Sequence, residues 1–194
     1  MITIPFVGLL FFLAMKAKFL FQKYSIVLYI VFFLLSVAGF YWIELPVFTF
    51  MKQGYLGLAL FYVVMLVGAL PRKQPTNQPN PVRRDYSILG FLAITPHAIY
   101  YLQKAMTGEI SQPIFGIIAY LIMIPLFVIS FRWIRRLMNE TVWKKIQKAA
   151  YISYLLLFIH LIINSDGVNR IAYVVLFGFY FLLKTRWIMK LFQK

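Results

Sequence analysis

His97 and His160 are the only histidines in 194 residues, and both lie inside long apolar runs. His97 is 11 residues past Tyr86, and His160 is 11 residues past Ala149, where their runs begin. At ~1.5 Å per helical residue, both imidazoles sit ~16 Å in from the same side. Ligand-capable side chains at that depth in a membrane are rare and functional by default. Two imidazoles facing each other across a helix bundle are the axial pair that a b-type haem needs. Either histidine alone would read more simply as a structural residue bonded to a neighbouring helix. At matched depth, the pair points to a cofactor. A zinc site is the runner-up, and it lacks further ligands because no Asp, Glu or Cys lies near that depth.

Small side chains on the ligand faces would give a porphyrin flat access. Gly90 lies seven residues before His97 and Ser153 seven before His160, each two turns away on the same stripe. Tyr101 and Lys104 follow His97 at four and seven. Lys104 is a candidate partner for a haem propionate, or an ordinary interface-anchoring lysine. Pro96, directly before His97, removes a helical hydrogen bond and predicts a local kink.

The elements that position these residues follow from hydropathy. The chain is 62% hydrophobic and 13% charged, too apolar for a soluble domain of this size. Six apolar segments, 24–43, 54–70, 86–105, 113–131, 149–165 and 170–188, are long enough or nearly so to cross ~30 Å of hydrocarbon. A seventh run, 3–20, is interrupted by Lys16 and Lys18. It reads as a short span with snorkelling lysines or as an interfacial helix. The expected fold is an all-α integral membrane protein, a six-transmembrane-helix bundle, or seven with the N-terminal segment. Residues 1–23 form that segment and 24–194 the bundle.

The net charge is +15, from 20 Lys+Arg against 5 Asp+Glu. The basic residues lie between apolar runs, so they read as topology signals rather than a nucleic-acid surface. One set of loops holds Lys16, Lys18 and Lys23; Arg72, Lys73, Arg83 and Arg84; Arg132, Arg135, Arg136, Lys144, Lys145 and Lys148; and Lys184, Arg186, Lys190 and Lys194. The other holds only Lys52, Lys104 and Arg170. The richer set is expected on the cytoplasmic side of a plasma or inner membrane, with the C-terminus there. No cysteine is present, which excludes disulfides, iron–sulfur clusters and thiolate metal sites. The linker 71–85, PRKQPTNQPNPVRRD, has four prolines and is expected to be a non-helical loop.

Three stretches carry a resemblance. Arg83-Arg84-Asp85-Tyr86-Ser87-Ile88-Leu89-Gly90 runs on to His97 and Tyr100-Tyr101. Ser130 is followed by Arg135-Arg136-Leu137 and Trp143. Trp143-Lys144-Lys145-Ile146-Gln147-Lys148-Ala149-Ala150-Tyr151 leads to His160. In order and spacing these resemble the ferric reductase-like transmembrane domain family over roughly residues 50–188. The closest look is to its MsrQ-type members, haem-binding membrane subunits that serve a periplasmic methionine sulfoxide reductase. Two-haem members carry inner histidines thirteen before the fifth-helix ligand and about fourteen before the third-helix ligand. Here those positions are Gln147 and Arg83. The resemblance therefore implies one haem b, held by His97 and His160, and no ordinary inner haem. The loop glycine after Arg-Arg-Leu is also absent, with Met138 and Asn139 in its place.

The function this implies is a membrane cytochrome passing single electrons to an acceptor on the outer face. The sequence contains no GxGxxG, so a separate donor is expected: quinol, or a cytoplasmic flavin reductase. FMN or a quinone near the cytoplasmic loops would bridge the distance to the iron. Arg83, Arg84, Arg135 and Arg136 could hold a flavin phosphate or an anionic lipid, although positive-inside retention accounts for each arginine taken singly. Direct reduction of ferric chelates needs only an exposed haem edge and stays open. The alternative of another class is a non-redox scaffold or small-solute carrier with structural or proton-relaying histidines.

Overall fold

The computed structural model describes residues 3–16, 21, 23–41, 48–70, 81–111 and 113–192. Among these the chain is helical, joined by turns, with no strand. In order the helices are α1 (Thr3–Lys16), α2 (Ser25–Tyr41), α3 (Thr49–Lys52), α4 (Tyr55–Ala69), α5 (Pro81–Met106), α6 (Ile114–Val128), α7 (Arg132–Leu137), α8 (Glu140–Gln147), α9 (Ala149–Ile163) and α10 (Gly167–Phe192). Each predicted apolar run contains one long helix. By length and hydropathy, Glu140–Ile163 and Gly167–Thr185 suffice to cross a membrane. α2, α4 and α6 are apolar but shorter, at 17, 15 and 15 residues. That corresponds to ~22–26 Å against ~30 Å of hydrocarbon.

One expectation fails at its edge. Residues 71–80 lie outside the described residues, but α5 already begins at Pro81. Proline is tolerated in a first helical turn, because the N–H it lacks would have no intrahelical partner and its φ is pre-set. Arg83, Arg84 and Asp85 therefore sit on a helix rather than in a loop.

α4 is the central helix. It is apolar on every side, and residues Gly57 through Leu66 are all buried, as expected for a helix with neighbours all round. It packs against α1, α5 and α10; α5 also contacts α2 and α6; α6 pairs with α9, and α9 with α10. The result is a closed ring of α4, α5, α6, α9 and α10, with α1 on the outside of α4 and α2 on the outside of α5. Gly57 allows the α4–α5 approach, since a Cβ there would stand 2.8 Å from Ile94 Cβ. The outward faces of α2, α9 and α10 expose Ile26, Phe33, Leu155, Ile171 and Phe181. Side chains of this kind meet lipid at no cost.

Polar side chains bolt the helices together. Tyr62 Oη donates to Leu176 O (2.5 Å), tying α4 to α10. Tyr86 Oη donates to Leu10 O (3.1 Å), tying α5 to α1. Tyr29 Oη donates to Asp85 Oδ1 (2.6 Å), tying α2 to α5. Arg84 also holds that buried carboxylate through Nε at 2.8 Å.

α5 runs on as helix through Pro96. The carbonyl that Pro96 cannot serve is that of Leu92, four residues back. Ser36 Oγ of α2 donates its one proton to Leu92 O at 2.5 Å, the shorter of its two carbonyl approaches, the other being Phe32 O of its own helix at 2.8 Å. The hydrogen bond lost to proline is thus replaced from a neighbouring helix, immediately before His97.

Candidate functional site: a histidine pair across a cavity

α5 and α9 bring the two histidines face to face. Their ring centroids are 6.5 Å apart and their planes are inclined at 80°. Both line a cavity of about 210 Å³ between α4, α5, α6 and α9, walled by Phe61, Ile94, Tyr120, Met123 and Leu157. Two imidazoles bound to one metal from opposite faces, each at about 2 Å, have ring centres about 6–6.5 Å apart. Their planes can take any angle about the shared axis. The observed pair therefore fits a bis-imidazole iron, and the apolar, aromatic walls fit the flat face of a porphyrin.

The two rings are held differently. His97 Nδ1 lies 2.8 Å from Lys52 O, and a carbonyl can only accept. Nδ1 therefore carries the proton and Nε2 keeps its lone pair. This is the carbonyl-to-histidine bond that orients metal-binding imidazoles. On His160, Asn164 Nδ2 donates to the main-chain oxygen at 2.8 Å and approaches Nδ1 at 3.2 Å. Nδ1 is then the acceptor, and the proton of neutral His160 sits on Nε2. Binding a metal through Nε2 requires that proton to leave or the amide to turn.

Two glycines make room for the rings. Gly54, at φ +75°, precedes α4, and a Cβ there would stand 3.2 Å from His97 Cγ and Nδ1. A Cβ on Gly116 of α6 would stand 2.9 Å from His160 Cε1 and Nδ1. Neither is among the small residues that stripe counting singles out. Gly90 instead packs on Leu60 and Phe61 of α4. Ser153 is buried and donates to Ala119 O at 3.2 Å. Neither of these lines the histidine cavity. Lys104 pairs with Glu109 at 3.0 Å, and its Nζ lies 5.3 Å from the Tyr100 ring centre, which Lys52 Nζ approaches at 4.5 Å. Its hydrogen bond to Lys104 holds the exposed Glu109 carboxyl below the usual carboxylate range.

A second cavity, of about 120 Å³, lies at the basic end of the bundle. Arg83, Arg84, Arg135, Trp143 and Gln147 line it, together with Phe61, Phe91 and Phe127. Arg83 and Gln147, the positions that the resemblance compares with inner haem ligands, thus share one cavity.

A family model described as "Ferric reductase like transmembrane component" matches residues 53–158. The chain belongs to this family. No curated protein and no solved structure matches it. Membership of the ferric reductase-like transmembrane family makes the protein a membrane electron-transfer component. The matched stretch holds α4 to α8 and most of α9, including His97, and ends two residues before His160. Among the described residues, no group of three or more His, Cys, Asp or Glu could hold a metal ion. A zinc site therefore gains no further ligands from the fold, while a haem needs only the two imidazoles.

Lys52, Gly54, Gly116 and Asn164 are the site residues that sequence reasoning missed. Asn164, four after His160 on the same face, was open to helical spacing. Gly116, a lone glycine in an apolar helix, carries the general signal of a close approach. Lys52 acts through its main chain, and no residue type reports that.

Proposed function

We propose that the protein is a membrane b-type cytochrome holding one haem b between His97 and His160. Its six spans, or seven with α1, carry electrons from a quinol or flavin donor on the basic, cytoplasmic side to an acceptor on the outer face. The subunit is of the MsrQ type, serving a redox partner outside the membrane, with direct ferric-chelate reduction as a variant of the same chemistry. The observation that carries this reading is the 6.5 Å histidine pair across an apolar cavity. Bound haem supplies a one-electron carrier. The chain's own residues do the rest: Lys52 O orients His97, Gly54 and Gly116 admit the rings, and the aromatic walls exclude water.

The alternative, a scaffold or carrier with structural or proton-relaying histidines, is favoured by one observation. Asn164 holds His160 with Nε2 as a donor, while Lys52 leaves His97 Nε2 as an acceptor, a complementary pair. A reduced-minus-oxidised spectrum of the purified protein, with a pyridine haemochrome assay, separates the two. A low-spin b-type signal near one haem per chain supports the cytochrome. No haem after expression with haem supplied rejects it, and near two places a second iron at Arg83 and Gln147.

A further inference from the structure

The second cavity has a donor surplus that the histidine site does not explain. Arg83 Nε and Trp143 Nε1 are buried, and no acceptor meets either among the described residues. Both side chains line the cavity. Ser87, Ser130 and Ser153 donate to Arg84 O, Leu126 O and Ala119 O, and neither they nor Tyr154, which also lines the cavity, accept from these two N–H groups. Arg84 is neutralised by Asp85, but Arg135 stacks on the Trp143 ring at 4.3 Å with no carboxylate among the lining residues. Buried N–H donors without partners are costly and rare. Two of them beside the guanidiniums of Arg83 and Arg135, with the nearby Glu140 carboxylate outside the cavity lining, define a seat for an anion rich in acceptor oxygens. The volume suits one phosphate-sized group or several waters.

The surroundings say where that phosphate comes from. α7 and α8, which supply Arg135 and Trp143, expose Trp133, Leu137 and Val142 among Arg132, Arg136, Lys144 and Lys145. Apolar and basic side chains interleaved on short helices between two apolar helices lie in the headgroup layer. Phe61, Phe91 and Phe127 continue the cavity inward as an apolar wall. We infer that Arg83, Arg135 and Trp143 bind the phosphate of one anionic phospholipid, in the seat that the family resemblance would give to an inner haem. This depends on the chain being a membrane protein and not on the haem at His97.

The test uses the full chain, purified in detergent and stripped of lipid. Phosphatidylglycerol or phosphatidylcholine is titrated in mixed micelles, and native mass spectrometry counts what is retained. One phosphatidylglycerol per chain is expected. Arg83→Gln should weaken it about tenfold and Trp143→Phe about three- to tenfold. Lys23→Gln, exposed and outside the cavity lining, should leave it unchanged. If Arg83→Gln does not fold, Trp143→Phe carries the comparison. Equal retention of phosphatidylcholine, or equal weakening by Lys23→Gln, would overturn the site. Tighter binding of inorganic phosphate or riboflavin 5′-phosphate that displaces the lipid would assign the seat to a soluble phosphate and overturn the lipid.

Discussion

His97 Nδ1 donates to the main-chain oxygen of Lys52, 45 residues earlier in the chain, at 2.8 Å. The contact exists because Gly54, at φ +75°, turns the chain from α3 into α4 beside the His97 ring. It leaves His97 with one bound nitrogen and one free for a ligand. No side chain at position 52 is needed for this, so Lys52→Ala should leave the bond intact.

Gly54 and Gly116 should be intolerant of even one methyl group. Gly116→Ala puts a Cβ 2.9 Å from two atoms of His160, so the ring must move. Gly54→Ala adds a left-handed backbone penalty of about 1 kcal/mol and crowds His97. Both variants are expected to insert and fold yet lose most of their haem. Gly178→Ala, with nothing within 4 Å of its Cβ, should keep it. Haemochrome stoichiometry against circular dichroism reads the difference. Equal haem in all three would remove the close-approach argument.

His97→Ala and His160→Ala should each abolish the low-spin spectrum while the protein still inserts. Gln147→Ala, whose side chain lines the other cavity, should leave it largely intact.

Asn164→Asp should lower the haem midpoint potential. A carboxylate at that position accepts from His160 Nδ1–H, which fixes the proton there, frees Nε2 and raises ligand basicity. Asn164→Ala should bind haem without that shift. Redox titration of both variants decides it, and identical potentials would show that Asn164 does not act on the ring.

Ser36 and Pro96 should couple strongly. Ser36→Ala leaves Leu92 O without a donor, at about 1–3 kcal/mol. With Pro96→Ala, the helix regains its own N–H for Leu92 O, and Ser36→Ala should then cost much less. A double-mutant cycle on thermal stability measures the difference. Simple additivity would mean that the 2.5 Å contact does not replace the lost bond.

Removing Tyr29 Oη should expose the isolation of Asp85. The carboxylate is fully buried, held by Tyr29 and Arg84 on Oδ1, and its Oδ2 has no partner. Tyr29→Phe is expected to cost about 1.5–3 kcal/mol, as for a hydrogen bond to a charged group. Asp85→Asn should be tolerated better than Asp85→Ala, which strands Arg84. Detergent melting curves rank the three.

Hydropathy alone located the long helices, because apolar runs and their polar punctuation are local properties of the chain. It also placed His97 and His160 at equal distances from the starts of their runs, since helical rise converts residue counts into depth. The start of α5 escaped it. Proline is read as a helix breaker, whereas the first turn has no hydrogen bond for Pro81 to break. Which small residues touch the imidazoles was not legible. Stripe spacing singled out Gly90 and Ser153 on the histidines' own helices, while the contacts come from Gly54, ahead of α4, and Gly116 on α6. That the loop after α5 brings Glu109 to Lys104 was not legible either. The Lys52 carbonyl on His97, the Ser36 hydroxyl on Leu92 O and the joining of Arg83 with Trp143 all depend on which helix lies beside which. That neighbourhood is set by interdigitated side chains across the whole bundle, and no local pattern encodes it.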